Sequence, residues 1–130
     1  MARTFNFELV TPERVMLSAT AEEVLVPGAD GDFTVLPDHA PVISTLRPGV
    51  LEAKMGGGKN ARIFVRGGFC EVGPTSLTVL AETAMDVAEA GAAGIAAELK
   101  IAEAALAGAA NDDVRWAAGL AVDRLKSLQG

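Results

Sequence analysis

Polar and apolar residues alternate from the start of the chain: Phe5, Phe7 and Leu9 are separated by Asn6 and Glu8. This period of two predicts a strand with one face on a core, ended by Pro12. Similar runs follow at Glu22 to Val26, Asp32 to Leu36, Val42 to Leu46, Gly49 to Met55, Ala61 to Val65, Phe69 to Val72 and Ser76 to Ala81. Between them stand Val26-Pro27-Gly28, Arg47-Pro48-Gly49, Met55-Gly56-Gly57-Gly58-Lys59, Arg66-Gly67-Gly68 and Gly73-Pro74, residue types that let φ turn positive or stop a ladder. Many short strands with regularly spaced turn signals predict a β-sandwich or flattened barrel.

After Ala84 the period changes. Ala, Glu and Leu dominate, and helix is the economical reading. Asp86 and Glu89 have capping-pair spacing, and Ile95, Leu99, Ala102 and Leu106 fall on one face, with Gly108 as the stop. Asn111 caps a second helix whose first turn holds Asp112 and Asp113, where the dipole favours negative charge. Val114, Ala118, Ala121, Leu125 and Leu128 form its apolar stripe. The chain is therefore mainly β with an α appendage: a sandwich over residues 1–85, then an antiparallel two-helix hairpin over residues 86–130. The Ala-rich stripes bury little area, so the hairpin needs the sandwich or a partner to pack against.

Charge narrows the functions available. Seventeen acidic side chains against eleven basic ones give a formal net charge of -6 in a 130-residue chain, a field that repels phosphate backbones. Nucleic acid is not an expected partner. The first residues carry neither an apolar signal region nor a small-residue cleavage site, so secretion is not expected. The most apolar stretch, Val87 to Ala97, is broken by Glu89 and falls far short of the ~20 residues a membrane span needs. No direct membrane insertion is expected. The single cysteine, Cys70, lies in an apolar pattern and reads as a buried thiol.

Candidate chemistry is sparse. The lone histidine, His39, follows Asp38 between Pro37 and Pro41, but neighbours in an extended segment point to opposite sides and do not make an acid–base pair. One His and one Cys leave no set of zinc-type ligands. Gly56-Gly57-Gly58-Lys59 resembles a phosphate loop, yet Asn60 stands where Ser or Thr is needed and strand patterns flank it. Asp30-Gly31-Asp32 places two carboxylates in a surface turn without the ligand series of a calcium loop. No catalytic residue, cofactor site or metal site emerges. Pattern alone leaves two classes open: a coupling or binding module in an assembly, and an autonomous ligand-binding sandwich.

The order of the turn blocks favours the first. Val24-Leu25-Val26-Pro27-Gly28-Ala29-Asp30-Gly31-Asp32-Phe33-Thr34-Val35-Leu36-Pro37-Asp38-His39-Ala40-Pro41 resembles the F-type ATP synthase epsilon subunits, equivalent to mitochondrial delta. Leu46-Arg47-Pro48-Gly49-Val50-Leu51, Phe64 to Val72 and Leu77 to Ala84 resemble the same family, in the same order. The resemblance implies a ten-stranded β-sandwich with a two-helix arm, in a non-catalytic rotor subunit on the cytoplasmic face of the bacterial inner membrane. The implied partners are the gamma subunit and the c-ring, with the alpha and beta catalytic subunits within reach of the arm. By position, Asp30, Gly31, Asp32 and His39 map to the c-ring side and Ser44 to the gamma side. Relatives that bind ATP carry an Asp and an Arg early in the arm; here those positions are Gly91 and Gly94, which implies weak nucleotide binding and weak inhibition of hydrolysis.

Overall fold

The computed structural model describes residues 3–129; the remaining residues of the expected domains, 1, 2 and 130, lie outside it. Seven strands are followed by two helices: β1 (Phe5–Val10), β2 (Val15–Gly28), β3 (Gly31–Val35), β4 (Val42–Thr45), β5 (Gly49–Met55), β6 (Asn60–Val72), β7 (Ser76–Asp86), α1 (Val87–Ala107) and α2 (Asp112–Gln129). Hydrogen bonding runs β1-β7-β6-β5-β2 and closes because β1 also pairs with β2. The ring is a flattened barrel, with β3 attached to β2 and β4 to β6. Phe7, Leu9, Val24, Val26, Leu51, Val65, Cys70, Leu77 and Val79 fill its core.

The strand count among the described residues is seven, against an expectation of ten, and the reason is physical. Three long strands cross from one layer to the other without stopping. On β6 the core-facing residues are Ile63 and Val65, then Cys70 and Val72, so the alternation changes parity between them. The change falls at Gly67 (φ 73°) and Gly68 (φ 105°), which bend the strand while its register with β7 is kept. On β7 the inward residues change from Leu77, Val79 and Ala81 to Ala84. On β2, Ala21 gives way to Val24 and Val26 across a register shift between Ala21 and Glu23. Such irregularities turn a strand's faces over without ending it. Arg66-Gly67-Gly68 is therefore a bend inside one strand rather than a turn between two. The stretch from Val15 to Thr20, unassigned from pattern, is the first half of β2 and pairs with β1.

The turn at Gly56–Gly58 is the tip of the β5–β6 hairpin, closed by Met55 N donating to Lys59 O at 2.7 Å, as its flanking strand patterns require. The helices follow their caps. Asp86 accepts from the backbone N–H of Ala88 and Glu89, and Asn111 accepts from Val114. Ile95, Leu99 and Ala102 are buried as the pattern predicts. Val114 is exposed, and Val122 joins Ala118, Ala121 and Leu125 in the buried stripe instead. The hairpin lies against the outside of the barrel, where its apolar stripes cover Val50 of β5, Phe64 of β6 and Met85 of β7.

The hairpin thus shares a second, smaller core with the barrel, separate from the first. A division at residues 85/86 is proposed with that seam in view. A fragment ending at Asp86 is expected to keep cooperative unfolding, because the ring and its core are complete without the arm. It is also expected to self-associate, since uncovering Phe64 alone exposes a side chain whose burial is worth about 1.5–3 kcal/mol. Adding Phe64→Thr should relieve the association on gel filtration. Non-cooperative unfolding of the fragment would make the arm part of one folding unit.

Candidate functional site

The β2–β3 hairpin turns through Ala29 and Asp30, and Gly31 enters β3 at φ 138°. The chain then loops from Leu36 to Pro41 before β4 begins. Two contacts fix Asp38, which sits at φ 66°: its N–H donates to Pro74 O at 2.8 Å and its carboxylate pairs with Arg3. His39 turns away from it. The His39 Nδ1–H donates to Ala40 O at 2.7 Å, and the ring centroid lies 6.4 Å from that of Phe33. The two side chains are thus committed to different partners, although the segment is a turn, closed by His39 N–H donating to Leu36 O at 3.2 Å, and not the extended stretch expected from its prolines.

Asp30, Gly31, Phe33, His39, Val42 and Ser44 line one open depression of about 390 Å³. The residues mapped by position to the c-ring side and the residue mapped to the gamma side therefore meet on one surface. Asp32 is the exception. Alternation on β3 sends it to the opposite face from Gly31 and Phe33, where it pairs with Arg47. There it lines a cleft of about 380 Å³ that Leu120, Asp123 and Arg124 of α2 close from the other side. Asp30 and Asp32, adjacent in one turn, serve two different surfaces.

A surface that pattern reading missed lies beside the depression. Ile43 is 71% exposed and Phe69 40% exposed. On the β4–β6 ladder Ile43 stands opposite Glu71 and Thr45 opposite Phe69, so both apolar side chains share the outer face. Phe69 in turn faces Leu80 on β7, which pairs with Val10 on β1. Val10, Pro12, Phe69 and Leu80 line a shallow trough of about 500 Å³. An apolar stripe crossing four strands is the kind of exposed patch that marks a protein partner. Its sequence signal was the parity of β6 after Gly68, which places Phe69 opposite Cys70.

The chemistry of this region is that of contact, not of bond-making. Cys70 is fully buried across the β4–β6 ladder from Ser44, and burial pushes its thiol up, opposed by a weaker hydrogen bond with the Ser44 backbone. A thiol held in its protonated form is a poor nucleophile.

Residues 4–87 match the family described as ATP synthase, Delta/Epsilon chain, beta-sandwich domain. Over 129 residues the chain is 46% identical to an ATP synthase epsilon chain of Parvibaculum lavamentivorans, covering 99% of this chain and 98% of that one. It is 40% identical over 130 residues to the epsilon chain of Mesorhizobium japonicum, covering 100% and 96%. Among solved structures, a chain of the Euglena gracilis mitochondrial ATP synthase superposes with a TM-score of 0.72 at 22% identity, over 97% of this chain and 79% of that chain. A chain of the Tetrahymena thermophila mitochondrial ATP synthase central stalk and c-ring gives 0.66 at 13% identity, over 98% of each. At such identities these two likenesses speak to the fold.

Proposed function

The chain belongs to the delta/epsilon chain family of the ATP synthase, and from that premise we propose that it is a rotor subunit of the central stalk, joining the c-ring to gamma. It is an accessory subunit, not a catalytic one. Through gamma, it carries c-ring rotation to the catalytic head where ATP is made. The observation that carries this reading is the exposed stripe of Ile43, Phe69, Leu80 and Val10 beside the depression of Asp30, Gly31, His39 and Ser44. Two adjoining surfaces of different chemistry suit two partners. The apolar stripe fits gamma, while Ser44, on the other face of β4 from Ile43, reaches gamma around that edge strand. The polar turn fits the loops of the c-ring, where charge-assisted hydrogen bonds hold without deep burial. A densely packed, closed ring of strands between them deforms little under load.

Its place is then peripheral, on the cytoplasmic face of the bacterial inner membrane. Among the described residues no helix is long and apolar enough to cross a membrane. Co-expression with the cognate gamma subunit tests the reading: a stoichiometric complex on gel filtration is expected, and two separate peaks would overturn it.

Because Asp32 is paired with Arg47, the coupling role at the rotor foot falls first on Asp30. Asp30→Lys is expected to reduce proton-driven ATP synthesis in reconstituted vesicles several-fold while leaving the unfolding midpoint unchanged. Asp32→Lys would in addition set two cations side by side, at a cost of about 1 kcal/mol for groups this exposed. Unaltered synthesis with Asp30→Lys would remove the residue from the c-ring contact.

The arm is the part within reach of the alpha and beta subunits, and its inhibition of hydrolysis is proposed to be weak. Gly91 and Gly94 offer neither a carboxylate nor a guanidinium to a triphosphate. Isothermal titration with MgATP is expected to show no binding at micromolar concentrations, and a clear micromolar isotherm would contradict this.

A further inference from the structure

The apolar stripe on the outer face of the barrel is bordered by carboxylates on both sides. Side chains on this face stand in rows that cross the strands. Val10, Leu80 and Phe69 make one row, since Val10 pairs with Leu80 and Leu80 with Phe69. One step along the strands, about 7 Å away, Glu8, Thr78 and Glu71 make the next. On the other side of the apolar row Glu82 follows Leu80 on β7. A Cβ built on Gly67 would meet its carboxylate, so Glu82 reaches over β6, and it lines the same trough as Val10 and Phe69. Glu8, Glu71 and Glu82 are all exposed. Among the described residues none of the three takes part in an ion pair. The outward positions of β1, β7, β4 and the second half of β6 hold no lysine or arginine. Arg14, in the β1–β2 turn, shares a separate polar cleft with Glu82 without pairing with it.

Such a border discriminates between occupants. A second copy of the chain, laid row on row, would bring carboxylates against carboxylates whichever way round it is turned, because both borders are acidic. A bare apolar surface would strip water from the three carboxylates and return nothing for it. We propose that this face takes an apolar ridge edged on both sides by lysine or arginine side chains, and that Glu8, Glu71 and Glu82 select for that ridge and against a second copy of the chain. With gamma as the proposed occupant, the reading on which this rests, the ridge belongs to gamma. Glu8 and Glu71 lie two strands apart, so two cations about 10 Å from each other would meet them, and a third across the ridge would meet Glu82. Ile43 ends the Glu8–Glu71 row with an apolar side chain, so no cation is called for over β4. Opposite charges at a rim speed encounter and fix orientation.

Titration of the cognate gamma subunit at low and high salt, about 50 and about 500 mM, tests the border, with Glu8→Gln, Glu71→Gln and Glu82→Gln combined in one variant of the full chain. The three side chains are exposed and unpaired, so the variant is expected to melt with the wild type. Wild-type affinity is expected to fall about tenfold between the two salts and that of the variant about twofold or less, with the variant associating about tenfold more slowly at low salt. Equal wild-type affinity at both salts, or a variant that keeps the full salt effect, overturns the cationic ridge while leaving gamma on this face. Failure of the wild-type chain to bind at either salt would instead overturn the docking of gamma itself. Sedimentation of the isolated chain needs no gamma: the wild type is expected to be monomeric and the variant to associate, with Phe69→Ser added to the variant restoring the monomer. A variant that stays monomeric, or a wild type that associates through Phe69, would overturn the selection against a second copy.

Discussion

Alanine in place of Gly68 is expected to destabilise the barrel by about 3 kcal/mol or more and to lower the melting temperature by roughly 10 °C, a large part of the stability of a domain this size. The cause is steric. Gly68 sits at φ 105°, and a Cβ built on it falls 1.9 Å from the carbonyl oxygen of Leu80 and 3.0 Å from Cα of Ala81. Both are backbone atoms of the neighbouring strand, so no side-chain rotation relieves the clash, and β6 must part from β7 where both strands change layers. Gly57 is the control. It has φ 80° at the β5–β6 tip, with no atom within 4 Å of a built Cβ, so Gly57→Ala meets only the intrinsic left-handed cost of about 1–2 kcal/mol. Calorimetry of the two variants decides the matter. Equal shifts in melting temperature would mean that close packing at Gly68 is not what holds the crossing together.

That same glycine pair shows where sequence reading stops. Arg66-Gly67-Gly68 and Pro27-Gly28 both carry turn chemistry, yet one bends a strand and the other leads into a hairpin turn. The difference is long-range: β7 lies along β6 on both sides of Gly67 and holds the register, a fact no local window contains. Val15 to Thr20 was hidden for a related reason. Its side chains do not alternate cleanly, and its strand character comes from pairing with β1. By contrast, Asp86, Asn111 and the Ile95-Leu99-Ala102 stripe were legible because caps and helical faces are set within a turn or two. The candidate site divides the same way. Period two along β3 separates Asp32 from Gly31 and Phe33 but would put Asp30 on the side of Asp32; the two aspartates diverge because Asp30 lies in the turn before β3 begins, which no alternation foretells. The exposure of Ile43 and Phe69 was not legible either, because an apolar residue in a strand reads as core until the ladder shows which face it occupies.

Those two residues carry the largest expected effect on function. Ile43→Asp is expected to weaken binding of the cognate gamma subunit about 100-fold or more while leaving the isolated chain as stable as before. Ile43 is already 71% exposed on β4, where only β6 is its partner strand, so its replacement disturbs no core contact and should alter stability by no more than about 0.5 kcal/mol. In a complex the same position faces the partner from the β4 end of an apolar stripe that Phe69, Leu80 and Val10 continue. A carboxylate there loses its hydration against apolar atoms with no cation on its own ladder to answer it, since its cross-strand neighbour is Glu71. A carboxylate forced against apolar atoms of a partner costs about 2 kcal/mol or more of binding, and 1.4 kcal/mol is about tenfold in affinity. Ile101→Asp supplies the comparison, because Ile101 is also an exposed apolar residue but lies on the arm; it should bind gamma like the unmodified chain. Titration of gamma with both variants would settle where the subunit is gripped, and wild-type affinity for Ile43→Asp would move the interface away from the β4–β6–β7–β1 face.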